Sequence, residues 1–174
     1  MAEPRPDGRA NAKHGIVRQK GDVVGLVGAR GIIHWEILPR NTIITATVYC
    51  EQLDRVAAKL RGKQGRVWYL HDNARPHIAR TTNDKFRELG WEVIPHPSYS
   101  PELAPTDYHL FLSLTHHLAG RSFETEDDLK TAIADFFDQI PPNFCERGIL
   151  SLPGRWRQVI ASNGAYVNEA LLPQ

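Results

Sequence analysis

Two apolar runs near the start, "DVVGLVG" and "GIIHWEIL", are separated by Gly28, Ala29, Arg30 and Gly31, a pattern that predicts two strands joined by a tight hairpin. From about Thr45 to Leu60 the apolar positions Tyr49, Leu53, Val56, Ala57 and Leu60 recur at helical spacing, and Gly62 supplies a stop. "RVWYL" at 66 to 70 is a nearly continuous apolar run of strand length. A helix over about 78 to 89, ended by Gly90, and a further strand "WEVIP" complete a strand, helix, strand crossover with its strands parallel in one sheet. Pro95, Pro97, Pro101 and Pro105 then stiffen a connector that ends at Thr106, an N-cap candidate for a helix to about Leu118, so that Asp107 stands in the first turn. Thr125 and Asp128 match a capping box ahead of Leu129, Ile133, Phe136 and Phe137, with Pro141 and Pro142 as terminators. A last helix bearing Trp156, Val159 and Ile160 closes the core before "NG" at 163, and residues 1 to 21, rich in Pro, Gly, Arg and Lys without periodicity, read as an irregular arm.

The stretch "YLHDNARPHIAR", residues 69 to 80, breaks the apolar pattern, because a buried strand runs straight into His71, Asp72 and Asn73. In α/β sheets the carboxyl ends of strands line the crevice where ligands bind. A lone Asp there usually caps a turn, and Asp107 has an equally plain role beside a helix dipole. As a pair in one crevice they would repel each other, and close carboxylates are kept together mainly by a cation. Oxygen donors without Cys, and His71 and His77 outside the i, i+4 zinc spacing, suit Mg²⁺ or Mn²⁺. Two such ions about 4 Å apart clamp the attacking and leaving oxygens of a phosphodiester. That scheme calls for a third carboxylate, and Asp22, Glu36 and Glu102 are candidates without a convincing position at a strand end. His71, Asn73 and His77 are candidates for positioning Asp72, Arg75 and Arg80 for meeting DNA phosphates, with turn-making and solvation as the plain alternatives.

Composition sharpens this only a little. The 174 residues suit one domain, and 21 Lys and Arg against 20 Asp and Glu give a net charge of +1, which by itself points to no nucleic-acid partner. The distribution is uneven: residues 1 to 40 hold seven Lys and Arg against four acids, while acids gather over 124 to 138. Cys50 and Cys145 lie far apart in apolar surroundings and read as reduced core residues, not as a disulfide or zinc framework. The absence of a long apolar run and of an apolar segment at the N-terminus predicts a soluble intracellular protein with no membrane partner.

"HDNARPHIAR" (71 to 80), "LGWEVIPHPSYSPELAPTDYHLF" (89 to 111) and "GILSLPGRWRQVIASNGAYV" (148 to 167) resemble the catalytic domain of mariner-family transposases. The 34 residues between Asp72 and Asp107 match the spacing that sets the mariner group apart among transposases with three catalytic Asp residues. "GIIHWEILP" followed by "YCEQL" also looks like that family's second and third strands and first helix, and Gly28 stands where the family's hairpin commonly has Asp. The resemblance implies an α/β, ribonuclease H-like mixed sheet flanked by helices over residues 22 to 167, with a tail at 168 to 174. It implies that Asp72 and Asp107 are the second and third metal-binding carboxylates, with Mg²⁺ or Mn²⁺ as cofactor, and that Tyr99, Ser100 and Pro101 support the placement of Asp107. DNA is the implied partner, a homodimer the implied assembly and the nucleus the implied location. The family's first Asp stands in a "TGDE"-like motif on strand one, upstream of the hairpin, and that motif has no match in these residues. Strand one is therefore expected to be lacking, the arm 1 to 21 to correspond to the end of the loop between the first two strands, and the chain alone to cleave DNA little or not at all. A non-catalytic relic or domesticated module that binds DNA or a protein is the alternative.

Overall fold

The structure, a computed structural model, describes residues 13–20, 23–39, 42–63, 65–141 and 143–164. It contains five strands, β1 (Lys13–Lys20), β2 (Val23–Gly28), β3 (Gly31–Ile37), β4 (Val67–His71) and β5 (Glu92–Ile94). The α-helices are α1 (Ala46–Leu60), α2 (Arg80–Leu89), α3 (Leu112–Leu118), α4 (Glu126–Gln139) and α5 (Phe144–Ala161), and a π-helical turn, Thr106–Phe111, leads into α3. The strands form one mixed sheet in the order β3-β2-β1-β4-β5.

Most elements follow from local sequence. β2 and β3 pair antiparallel across the predicted hairpin, with a register shift between Leu26 and Val27. Thr45 caps α1 by accepting from the Val48 amide at 3.3 Å, and Gly90 ends α2 with φ 66°, a left-handed conformation that suits glycine. The capping box is present: Asp128 N donates to Thr125 Oγ1 at 3.1 Å, while Thr125 N donates to Asp128 Oδ2 at 2.9 Å. β4 and β5 are parallel neighbours, as the crossover requires.

Period-two alternation along the strands divides the core into two layers. Val67 and Tyr69 of β4 face α1 and α2, packing with Tyr49, Leu53, Val56 and Phe86. Leu70 and Val27 point the other way, against Leu110, Phe111, Leu114, Ile133, Phe136 and Ile149 of the π turn and α3 to α5.

Three expectations are corrected. Residues Lys13–Lys20, read as irregular arm, are strand β1, antiparallel to β2 and parallel to β4. The place expected to be empty for want of strand one is thus filled, though by a segment with neither Asp nor Glu. Its sequence has no strong alternation; the order comes from the backbone groups on the facing edges of β2 and β4, which need partners. Second, Thr106 does not cap a helix. Pro105 already has helical backbone angles (φ −54°, ψ −27°), so the turn starts one residue earlier and Thr106 lies fully buried inside it. Third, Ile160 is 70% exposed; α5 is longer than expected and buries Cys145, Gly148, Ile149 and Arg155 instead. Both cysteines are free thiols, Cys145 buried and Cys50 half-buried. The tail at 168 to 174 lies outside the described residues.

Candidate active site and its surroundings

Asp72 is the first residue beyond β4, half-buried, at the carboxyl end of a strand flanked by parallel neighbours on both sides. Its Oδ1 accepts from the Ala74 amide at 3.0 Å, the turn-forming bond that a strand-end Asp commonly makes, and lies 2.6 Å from His77 Nδ1. A carboxylate can only accept, so the His77 proton sits on Nδ1. The imidazole is fixed from behind by Tyr49, with ring centroids 4.0 Å apart. His77 therefore orients Asp72.

Asp107 is carried on the π turn, which packs against the sheet at Gly25. Val17 of β1 pairs with His71, and the next residue, Arg18, pairs with Gly25 of β2. A Cβ on Gly25 would lie 3.3 Å from Leu110 Cδ2 and 3.4 Å from Phe111 Cζ, so the bare glycine lets the π turn press onto that row of the sheet, next to where β4 gives out into Asp72. Asp107 is half-buried near the start of this turn, its amide donating to Ala104 O at 2.8 Å. π turns recur at functional sites because the extra residue re-aims the side chains around it.

The other candidates separate. Asn73 Nδ2 donates to His96 O at 2.6 Å and ties the end of β4 to the proline connector. His71 turns inward: it is buried and bonds to the Tyr49 hydroxyl across 3.0 Å, and burial holds its pKa down at about 3, so it stays neutral. Arg75 and Arg80 are exposed on the loop and at the first residue of α2. Tyr99, in the connector, adopts φ 58° and is 89% exposed. Of the possible third carboxylates, Glu36 is engaged on the opposite layer by His34, Gln52 and Arg55. Burial pushes its pKa up, but those three donors outweigh that and hold it below the ordinary value. Glu102 lies in a short 3₁₀ turn before the π turn, and Asp22 is outside the described residues. Among the described residues no group of three or more His, Cys, Asp or Glu could hold a metal ion. Asp72 and Asp107 are hard oxygen donors of the kind that suits Mg²⁺ or Mn²⁺, but two carboxylates are fewer than such a site calls for.

A cluster of an arginine, an aromatic ring and a serine lies beside Asp107, formed by residues distant in sequence. Arg155, only 5% exposed, stacks over the Tyr108 ring at 3.7 Å and donates to Glu102 O at 3.3 Å. Tyr108 and Ser151 both donate to Gly148 O, at 2.7 and 2.8 Å. The available signal was an arginine on the apolar stripe of α5, set by Cys145, Gly148, Ile149 and Leu152.

Residues 27–70 match the family model described as Transposase (partial DDE domain). The chain is 40% identical over 144 residues to the Mariner Mos1 transposase of Drosophila mauritiana, covering 79% of this chain and 42% of that protein. Against the solved structure of the Mos1 transposase catalytic domain and Raltegravir with Mn it gives a TM-score of 0.83 at 34% identity, over 91% of this chain and 86% of that one. The chain belongs to the mariner transposase catalytic domains. Another solved relative, the Mos1 mariner paired end complex with Mn, gives a TM-score of 0.80 at 35% identity and covers 97% of this chain and 48% of that one. This mariner domain is also 39% identical over 145 residues to the histone-lysine N-methyltransferase SETMAR of Homo sapiens, over 79% of this chain and 21% of that protein. It thus spans less than half the length of either full-length relative. Its sheet is the ribonuclease H-like sheet that the resemblance implies. No helix among its described residues is long and apolar enough to cross a membrane.

Proposed function

We propose that this chain is the metal-binding, DNA-processing part of a mariner-type transposase, with Asp72 and Asp107 as two of its metal-binding carboxylates. The observation that carries the reading is the meeting of two elements at one end of the sheet. β4 runs out into Asp72, held by His77, and the π turn bearing Asp107 lies across the adjoining row at Gly25. Mg²⁺ or Mn²⁺ held there would neutralise charge on a phosphodiester and activate the attacking oxygen. The chain's own residues fix the geometry: His77 restrains Asp72, Asn73 ties the strand end to the connector, and Gly25 admits the turn that presents Asp107. His71, Arg75 and Arg80 have supporting parts in this reading, His71 as a neutral core anchor behind the strand end and the two exposed arginines as contacts to DNA phosphate. The partners are DNA and a second subunit, and the place of action is the nucleus.

Strand β1, which adjoins β4 where a first carboxylate would stand, has neither Asp nor Glu. Two carboxylates offset the repulsion between two divalent ions poorly, so the isolated chain is expected to cleave DNA little or not at all. The test is a titration of Mg²⁺ and Mn²⁺ into the purified chain with nicked and blunt DNA duplexes. Retained DNA binding without cleavage is the expected result, and strong Mg²⁺-dependent cleavage would overturn the inactivity. If Asp72→Asn with Asp107→Asn left Mn²⁺ binding unchanged, the metal assignment itself would fall. The match to one fifth of SETMAR supports a second reading, a non-catalytic DNA- or protein-binding module within a larger protein. Metal-independent DNA binding by a chain that takes up no Mn²⁺ at Asp72 and Asp107 supports it.

A further inference from the structure

On the side of the π turn occupied by α5 lies a cavity of about 410 Å³, lined by Tyr108, His109, Arg147, Ser151, Arg155 and Arg157, with Leu150 and Gly154 completing the wall. Three guanidinium groups and no carboxylate line it. Arg155 is the buried member of this lining: its guanidinium carbon lies 3.7 Å from the Tyr108 ring centroid, and it is presented from a helix packed on the second core layer. That arrangement pre-orients a planar donor, the geometry in which arginine recognises phosphate oxygens. Arg147 and Arg157 stand exposed at the rim, and among the described residues neither makes an ion pair or a side-chain hydrogen bond. Arg55, Arg66, Lys85, Arg87 and Lys130 are each matched by an acid, whereas Arg75 and Arg80, like the cavity's rim, make no ion pair among the described residues. Gly154 adds no bulk to the wall, since a Cβ there would meet nothing within 4 Å.

We infer that this cavity is a seat for a backbone phosphate of the DNA strand that passes the Asp107 end of the domain, with Arg147 and Arg157 closing on the phosphate beside the Arg155–Tyr108 pair. The inference rests on the DNA-processing reading above and adds a specific docking point for the strand. Tyr108 and His109 follow Asp107 directly in the chain, so a phosphate seated there fixes the register of the strand relative to the carboxylates. Seating the phosphate releases counterions, so the site acts through affinity and salt dependence and not through base sequence.

The test is binding of a fluorescent duplex to the whole chain in EDTA, over a series of salt concentrations. Arg147→Gln with Arg157→Gln is expected to lower affinity on the order of tenfold near physiological salt and to reduce the slope of log K against log salt by about 0.9, one phosphate's worth. Arg66→Gln with Arg87→Gln removes the same charge away from the cavity, ahead of β4 and on α2, and is expected to leave the slope unchanged. Should the two double variants weaken binding equally, or the first leave the slope intact while the parent binds, the phosphate seat is wrong and the DNA reading stands. A parent that binds no duplex at any salt would overturn the DNA reading and the seat together. Asp72→Asn with Asp107→Asn, measured alongside, should bind in EDTA at least as tightly as the parent; a loss there would mean that DNA enters by the carboxylates and not by this cavity.

Discussion

His77 Nδ1 lies 2.6 Å from Asp72 Oδ1, so the carboxylate at the end of β4 is held by a side chain five residues further on. The imidazole is 10% exposed and the carboxylate 26%, which leaves the acid reachable while its support is shielded. Replacing His77 by Phe keeps an aromatic ring against Tyr49 and removes the donor. If Asp72 takes part in metal binding, His77→Phe should weaken Mn²⁺ affinity by about 10- to 100-fold, the usual effect of losing a residue that orients a ligand. Mn²⁺ titration followed by electron paramagnetic resonance reads this directly. Unchanged affinity would leave His77 with a purely structural part.

Gly148 is where α5 touches the turn that carries Asp107. A Cβ there would sit 2.6 Å from His109 Cδ2, and that ring is fixed by stacking on Phe144 at 4.0 Å and by its bond to Phe144 O. Gly148→Ala should therefore destabilise the fold by about 1 to 3 kcal/mol despite alanine's better helix propensity. Urea unfolding measures it, and a neutral or stabilising result would mean that the ring moves aside freely.

Acid should weaken the fold early. Burial depresses the pKa of His71 to about 3 and also lowers those of His34 and His109, so the unfolded chain takes up protons that the folded chain refuses. The contribution of His71 is complete above its unfolded value of 6.5 and is lost as the pH falls from there toward about 3. The slope for one such group approaches about 1.4 kcal/mol per pH unit. Melting followed by circular dichroism between about pH 7 and about pH 5 should show a falling Tm, and His71→Gln should flatten it. A Tm independent of pH across that range would contradict the buried, neutral imidazole.

The capping box of α4 gives a local test. Thr125→Ala removes the acceptor of the Asp128 amide, and should cost about 1 kcal/mol. Asp128→Ala breaks the reciprocal bond to the Thr125 amide. Because the two bonds share one turn, the double variant should lose less than the sum of the single ones. Urea midpoints of the three variants check this, and strict additivity would show that the two bonds act independently.

Local patterning determined much of this protein. The Gly28 to Gly31 hairpin, the Thr45 and Thr125 caps, the Gly90 stop and the β4-α2-β5 crossover all depend on residues close together in the chain, where side-chain periodicity and turn chemistry act directly. The motifs around Asp72 and Asp107 and their 34-residue spacing were likewise legible, and with them the family. Tertiary structure decided the rest. Lys13–Lys20 has no strand pattern of its own and is ordered by hydrogen bonds to β2 and β4, partners that lie far apart in the chain. His71 and His77 look alike as sequence neighbours of Asp72, and only the packing around Tyr49 turns one into the core and leaves the other on the carboxylate. The stack of Arg155 on Tyr108 joins residues 47 positions apart, a meeting fixed by the approach of α5 to the π turn at Gly148 and by nothing in the local sequence of either.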